Sequence, residues 1–364
     1  MPTEQINPDT QVALLLTGRF GRAASAAKPL APAEYNRVAK WLHNRELRPA
    51  DLLAAETSAK LGNEFLDGVP GERVESLLRR GAGMAVALER WSQRGIRVIG
   101  RTDPDYPSRW TDRLRARRPP VVFAVGEVSL PNNTSRRVAV VGSRNASPAS
   151  LEFARKIGEY CALQEMTIVS GGAEGVDDAA MMGCLDAGGQ VVGILASKLE
   201  GAATAKKWRD GLRENRLLLL SEVSPSAPFS VGSAMSRNRL IYSLADVAVV
   251  ANSGHRGGTW AGSTENLKQG WVPLLVRAQD DAGEGISPLL EQGALPLKDT
   301  DLDRAEDFVG RLDNARQEWS EMLERDLQDR PRELPLVEEQ IVAETSDLPG
   351  FGSDVAARTL WDDD

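Results

Sequence analysis

Thr167-Ile168-Val169-Ser170-Gly171-Gly172-Ala173-Glu174-Gly175-Val176-Asp177 decides the fold. Thr167 to Ser170 run apolar without alternation, as a strand does when both faces of its sheet are covered. A glycine turn follows, and Asp177 and Asp178 open a helix where carboxylates stabilise the dipole. A buried strand feeding a helix is half of a strand-helix-strand crossover. The same sentence is written several times on either side. Strands are predicted at Val138 to Val141, Thr167 to Ser170, Gln190 to Leu195, Leu217 to Ser221, Val247 to Ala251 and Val272 to Val276. Helices are predicted at Ala149 to Gln164, with Ser147 as N-cap, and at Gly175 to Ala187, Arg237 to Leu244 and Thr259 to Gln269. The fold class is therefore α/β, a Rossmann-like, doubly wound, mostly parallel sheet over residues 137–298.

Outward from this core the pattern changes. Residues 1–95 read as a small helical domain of helix-hairpin-helix or SAM-like type, with Tyr35, Val38, Trp41 and Leu42 at helical spacing after Pro32. Within it, Leu66-Asp67-Gly68-Val69-Pro70-Gly71 is a short Gly-rich hairpin leading into an amphipathic helix, and such a turn can present backbone N–H groups to a phosphate. Residues 96–136 form a connector with short strands at Arg97 to Gly100 and Pro119 to Gly126. Residues 299–364 form an acidic, partly helical C-terminal segment, with the helix from Leu302 to Asp329 and a tail ending in Trp361-Asp362-Asp363-Asp364.

Composition bounds the function. The 364 residues carry a net charge of -8, 41% hydrophobic and 26% charged residues, which describes a soluble chain of two or three domains. No stretch approaches the roughly 20 apolar residues of a membrane helix. MPTEQINPDT at the start lacks the basic-then-apolar pattern of a secretory signal, so the expected location is cytoplasmic. Cys161 and Cys184 cannot frame a disulfide scaffold, and with only His43 and His255 no metal site is expected. The net charge by itself argues against nucleic acid, but it is an average. Residues 299–364 hold 20 acidic and 7 basic residues, a net of -13, and the remainder is net +5. The most basic stretch runs from Arg73 to Arg118, and any single arginine in it reads as solvated surface.

The chemistry sits where ligands of open α/β sheets bind, at the carboxyl ends of strands. Four loops there are rich in Gly, Ser and Arg. They are Gly142-Ser143-Arg144, Ser170-Gly171-Gly172 with Asp177 beyond, Arg237-Asn238-Arg239 before a helix, and Gly257-Gly258-Thr259. A glycine turn after one strand is usually only a turn. Four at corresponding positions describe a phosphate or polyanion cleft, with glycines admitting the backbone, helix N-termini supplying N–H donors, and Arg supplying a fork. The spacing fits neither the dinucleotide fingerprint nor a Walker lysine motif, so no nucleotide cofactor is expected. Catalytic candidates are thin: His255 reads as an exposed loop residue, and both cysteines read as buried helix residues.

The ordered set Tyr106-Pro107, Val141-Gly142-Ser143-Arg144, Ser170 to Asp177, Leu220-Ser221-Glu222, Ser236-Arg237-Asn238-Arg239 and Gly258-Thr259 resembles the DNA-processing protein A (DprA, also called Smf) family from about Gly95 to Ala294. The resemblance implies a non-catalytic single-stranded DNA-binding protein that forms a homodimer and loads a RecA-type recombinase. It also implies a role in DNA processing and uptake or in genome and phage defence. It places Arg144, Ser170, Gly171, Arg237 and Arg239 on the strand-binding cleft, with Asn238 and Asp177 holding the loops. The chain departs from the family's usual residues at Glu174 and Met181, and an acidic segment stands in the place of a winged-helix domain, which marks a divergent member. The alternative is a nucleotide-binding protein or nucleoside-monophosphate phosphoribohydrolase-like enzyme of the wider superfamily, with Glu265 as its catalytic residue.

Overall fold

The computed structural model describes residues 6–20, 27–54, 61 and 64–329. The tail expected beyond Asp329 lies outside the described residues. The chain divides into two compact units, one holding the residues up to Tyr106 with Leu114–Phe123, the other Pro107–Arg113 and Ala124–Arg330.

In the first unit, helix α1 (Pro8–Thr17) starts where the Asn7 side chain accepts from the Asp9 amide at 2.9 Å. It is buried along Val12 to Leu16, which makes it the core helix of this unit. Helix α2 (Pro32–His43) packs Tyr35, Val38, Trp41 and Leu42, the residues whose spacing predicted it. Strands β1 (Phe65–Leu66) and β2 (Val69–Pro70) pair antiparallel. Asp67 and Gly68, both at positive φ, make the tight turn between them. Helices α3 (Gly71–Leu78) and α4 (Gly81–Ser92) follow, then strand β3 (Arg97–Gly100).

Within the stretch from Arg73 to Arg118, Arg79, Arg90, Arg94, Arg115 and Arg117 are exposed, as solvated surface is, whereas Arg101 and Arg118 are buried and Arg73 is partly buried. Arg101 is buried, lies over the Tyr35 ring and donates to Asn36 Oδ1 at 2.9 Å and to the carbonyls of Pro119 and Arg118. Burial lowers its pKa to about 10. Tyr106 donates its hydroxyl to the same Pro119 carbonyl at 2.8 Å. These side chains satisfy loop carbonyls that would otherwise be stranded in the interior. Arg73 grips Glu34 at 2.6 Å, and this hydrogen bond, with that from the Ala31 amide, lowers the Glu34 carboxyl from 4.5 to about 2.

A depressed carboxylate adds stability above its unfolded value, and that stability is lost as pH falls toward the folded one. Glu34→Gln should therefore melt lower than the parent at pH 7, with the gap closing between pH 4.5 and about 2. A gap of the same size across that range, followed by thermal melts, would rule out the ion pair as its source.

In the second unit, helix α5 (Ser108–Leu114) is anchored by the indole of Trp110, which donates to the Leu240 carbonyl at 3.0 Å, and by Arg109 on Asp246 at 2.6 Å. Strand β4 (Val121–Gly126) leads to the core. The alternation then runs β5 (Arg137–Gly142), α6 (Pro148–Leu163), β6 (Thr167–Ser170), α7 (Val176–Asp186), β7 (Gln190–Ile194), α8 (Leu199–Ala202), α9 (Arg209–Arg213), β8 (Leu217–Ser221), α10 (Val231–Leu244), β9 (Val247–Asn252), α11 (Gly258–Gln269), β10 (Leu274–Arg277), α12 (Ile286–Glu291), β11 (Leu295–Leu297) and α13 (Ala305–Asp329).

Among the described residues the sheet has nine strands in the order β11-β10-β9-β5-β6-β7-β8-β4-β3, and every pair from β11 to β8 is parallel. The order reverses between β5 and β9, the arrangement of a doubly wound sheet. Helices α6 and α7 cross where Gly158 faces Ala180 and Gly183 faces Arg155; a Cβ at either glycine would meet a carbonyl oxygen at 2.2 or 2.3 Å. That close crossing sets the direction of α7, whose N-terminus points at the loops.

Several predicted boundaries move, among them the starts of α10 and β10. Helix α10 starts at Val231, because Ser230 accepts from the Ser233 amide at 3.0 Å and Ser233 caps it in return. Arg237 to Arg239 therefore lie inside the helix rather than at its predicted start. Strand β10 begins at Leu274, since the Asn266 side chain holds both the amide and the carbonyl of Val272.

Candidate functional site

The loops at the carboxyl ends of β5, β6, β7 and β8 enclose a cleft of about 340 Å³ in the second unit. Gly171 to Ala173 form one wall, Leu195 to Lys198 and the turn around Lys207 and Trp208 a second, and Arg144, Phe229 and Arg237 complete it. Among the described residues, four cations line the cleft and no carboxylate does.

Gly171 is there because nothing larger fits. A Cβ on it would lie 1.2 Å from Nη1 of Arg237 and 2.5 Å from Oδ2 of Asp177. The guanidinium thus packs flat against the Gly171 backbone, 3.6 Å from the Asp177 carboxylate, and donates to the Ile194 carbonyl at 3.2 Å. Arg237 and Asp177 are both buried, and Arg237 Nε has no hydrogen-bond partner among the described residues. Burial pushes the Asp177 carboxyl up, opposed by Arg237 and by hydrogen bonds from the backbone at Ala173, Gly142 and Gly171. Burial likewise pushes Arg237 down, opposed by Asp177. The pair clamps the ends of β5, β6 and β7 together. Gly175, at φ 92°, lets the chain turn into α7, and a Cβ there would strike the Ser143 carbonyl.

Arg144 is exposed and stacks on the half-exposed Phe229 ring, 4.9 Å from its centroid. Lys198 is exposed, held at φ 53° before α8, with its amide on the Ala227 carbonyl. Lys207 lies over the Trp208 ring and pairs with Asp178 at 2.7 Å. A mobile anion can reach these three cations, whereas Arg237 is the floor beneath them.

The other sequence candidates take different places. Ser170 turns its hydroxyl inward to the Val140 carbonyl at 2.6 Å. Gly142 packs against Val176, and the Ser143 carbonyl accepts from the Val176 amide at the start of α7. Arg239 is mostly buried against Glu222 at 2.6 Å and Ser236. Asn238 donates to the Gly258 carbonyl at 2.8 Å, tying α10 to the loop after β9. Gly257, Gly258 and Thr259 sit at that loop, outside the cleft lining, as does Glu265 on α11. Glu174 is exposed and also outside the lining, and Met181 is buried. His255 is exposed, and burial pushes both thiols up, Cys184 to about 12. Sequence reading missed Lys198, Lys207 and Phe229. Lys198 follows a strand as the other loops do and could have been found by that rule; Phe229 and Lys207 carry no local signal.

The family model of DNA recombination-mediator protein A matches residues 97–306, more than half of the chain. The chain belongs to this family. This family member is 29% identical over 246 residues to a putative DNA processing protein DprA of Mycobacterium tuberculosis (strain CDC 1551 / Oshkosh), a match spanning 62% of this chain and 60% of that protein's length. It is 25% identical over 211 residues to DNA processing protein DprA of Bacillus subtilis (strain 168), covering 57% of this chain and 70% of that one. The X-ray structure of DprA from Streptococcus pneumoniae superimposes with a TM-score of 0.60 at 21% identity, over 84% of this chain and 98% of that chain. The superposition shows a DprA-like fold, built in this chain from an N-terminal helical region and a mostly parallel nine-stranded sheet. Among the described residues no helix is long and apolar enough to cross a membrane.

Proposed function

We propose that this recombination-mediator family member binds single-stranded DNA in the cleft at the ends of β5 to β8 and acts as a non-catalytic mediator. The observation that carries the reading is the lining: four cations, an accessible aromatic ring and glycine backbone, with no carboxylate among the described residues. That is the make-up of a surface on which a strand lays phosphates on cations and bases on rings. Phosphates would lie on Arg144, Lys198 and Lys207 and on the amides of Gly171 to Ala173, while Arg237, Arg239, Asn238 and Asp177 hold the loops that carry them. A RecA-type recombinase and a second copy of the chain are the partners this reading includes, in DNA uptake or in genome and phage defence.

Fluorescence anisotropy with a labelled 20-nucleotide strand and the matching duplex tests it. The expected result is single-strand binding at least tenfold tighter than duplex binding, weakening with salt at a log–log slope of about -0.7 for each phosphate neutralised. Salt-independent binding, or none, would remove DNA from the account.

A further inference from the structure

The cleft and the acidic segment of the same chain are complementary in charge and in apolar character. Beyond Arg144, Lys198 and Lys207, the cleft runs onto an apolar ridge that the fold leaves uncovered. Phe229 is 45% exposed, Val231 72% and Met235 38%, and Val231 and Met235 stand one turn apart on the first part of α10. A patch of this kind at the mouth of a cationic cleft fits a ligand that alternates negative charge with flat or apolar groups.

Residues 330–364 have that composition. They carry 9 acidic and 3 basic residues, and they place apolar groups beside carboxylates at Leu336-Val337-Glu338-Glu339 and at Leu360-Trp361-Asp362-Asp363-Asp364. Helix α13, which they follow, belongs to the same unit as the cleft. Fully extended, such a segment reaches about 115 Å. A unit of this size has a radius of gyration of about 17 Å. Every face of the unit is therefore within reach. Covalent attachment holds such a segment at an effective concentration on the order of millimolar, enough for individually weak contacts to occupy a site.

We propose that the segment docks in the cleft of its own chain, with Trp361 on the Phe229–Arg144 stack and Asp362, Asp363 and Asp364 on the cations, and that a DNA strand must displace it. This inference rests on the proposed DNA-binding role of the same cleft. It also matches the local charge: the segment is net -6, and it would be drawn most strongly to the cleft, where Arg144, Lys198 and Lys207 face solvent. Competition of this kind sets a threshold, so that a short or scarce strand fails to open the site and a long one succeeds.

The test uses the full chain. Trp361→Ala combined with Asp362→Asn, Asp363→Asn and Asp364→Asn should bind a labelled 20-nucleotide strand about 10-fold tighter than the parent at 50 mM salt, and the two should converge by 300 mM as screening weakens the internal contact. Equal affinities at low salt, with binding intact in both proteins, would overturn the docking and leave the DNA reading standing. Failure of both proteins to bind would overturn the DNA reading instead, and a second readout then decides the docking without DNA. Benzoylphenylalanine placed at position 361 should crosslink within the chain to Gly171–Ala173, to Leu195–Trp208 or to Phe229–Met235. Crosslinks confined to other peptides would overturn the docking.

Discussion

Arg237→Met should destabilise the second unit by about 3–5 kcal/mol, the usual cost of leaving one partner of a buried ion pair alone. For a unit of this size that is a fall of about 10 °C in Tm. The residue left behind is Asp177, buried beside Gly171 and held by backbone donors from the ends of β5 and β6. Two further results separate this cause from simple loss of packing. Asp177→Asn in the same protein should recover much of the deficit, since it removes the unpaired charge, and the coupling is read from the double-mutant cycle. The deficit of the single variant should also shrink at acid pH. Burial already pushes the Asp177 carboxyl up, and without Arg237 it goes higher, so a modest fall in pH neutralises it. A single variant that loses under 1 kcal/mol, or a double variant that recovers nothing, would show that the pair does not clamp the loops.

The second large effect concerns affinity and leaves stability nearly untouched. Arg144→Ala, Lys198→Asn and Lys207→Ala together should weaken single-strand binding about 100-fold at 0.1 M salt and make the salt slope shallower by about 2, as the loss of three phosphate contacts requires. All three side chains are exposed, so the melting curve should move little. Asn is chosen at Lys198 because that residue sits at φ 53°, a left-handed backbone that Asn tolerates and most residues resist. Unchanged affinity and slope in the triple variant would place the strand elsewhere on the chain.

The two experiments probe different arginine roles, and telling those roles apart is where sequence reading stopped. Arg144, Arg237 and Arg239 all stood in Gly/Ser/Arg-rich stretches after predicted strands. In the folded chain Arg144 faces solvent over Phe229, Arg237 lies under Gly171, and Arg239 is turned to Glu222. A guanidinium goes where a carboxylate or carbonyl will take it, and Asp177 lies far from Arg237 in the chain. The same holds for Arg101, whose carbonyl partners come from the loop before β4.

The start of α10 and the short elements α8, α9, α12 and β11 were not determined by the sequence alone, whereas the longer core strands, the longer helices between them and the glycine turns at their ends were. These features depend on near neighbours: a continuous apolar run marks a doubly covered strand, and a capping residue or glycine marks where a helix begins. Tertiary structure alone decided which loops meet. With β6, β7 and β8 on one side of β5 and β9 on the other, the loops after β6, β7 and β8 join Arg144, while Gly257 to Thr259 fall outside the cleft. Strand order is set by pairing between distant segments, and no local pattern of residues encodes it.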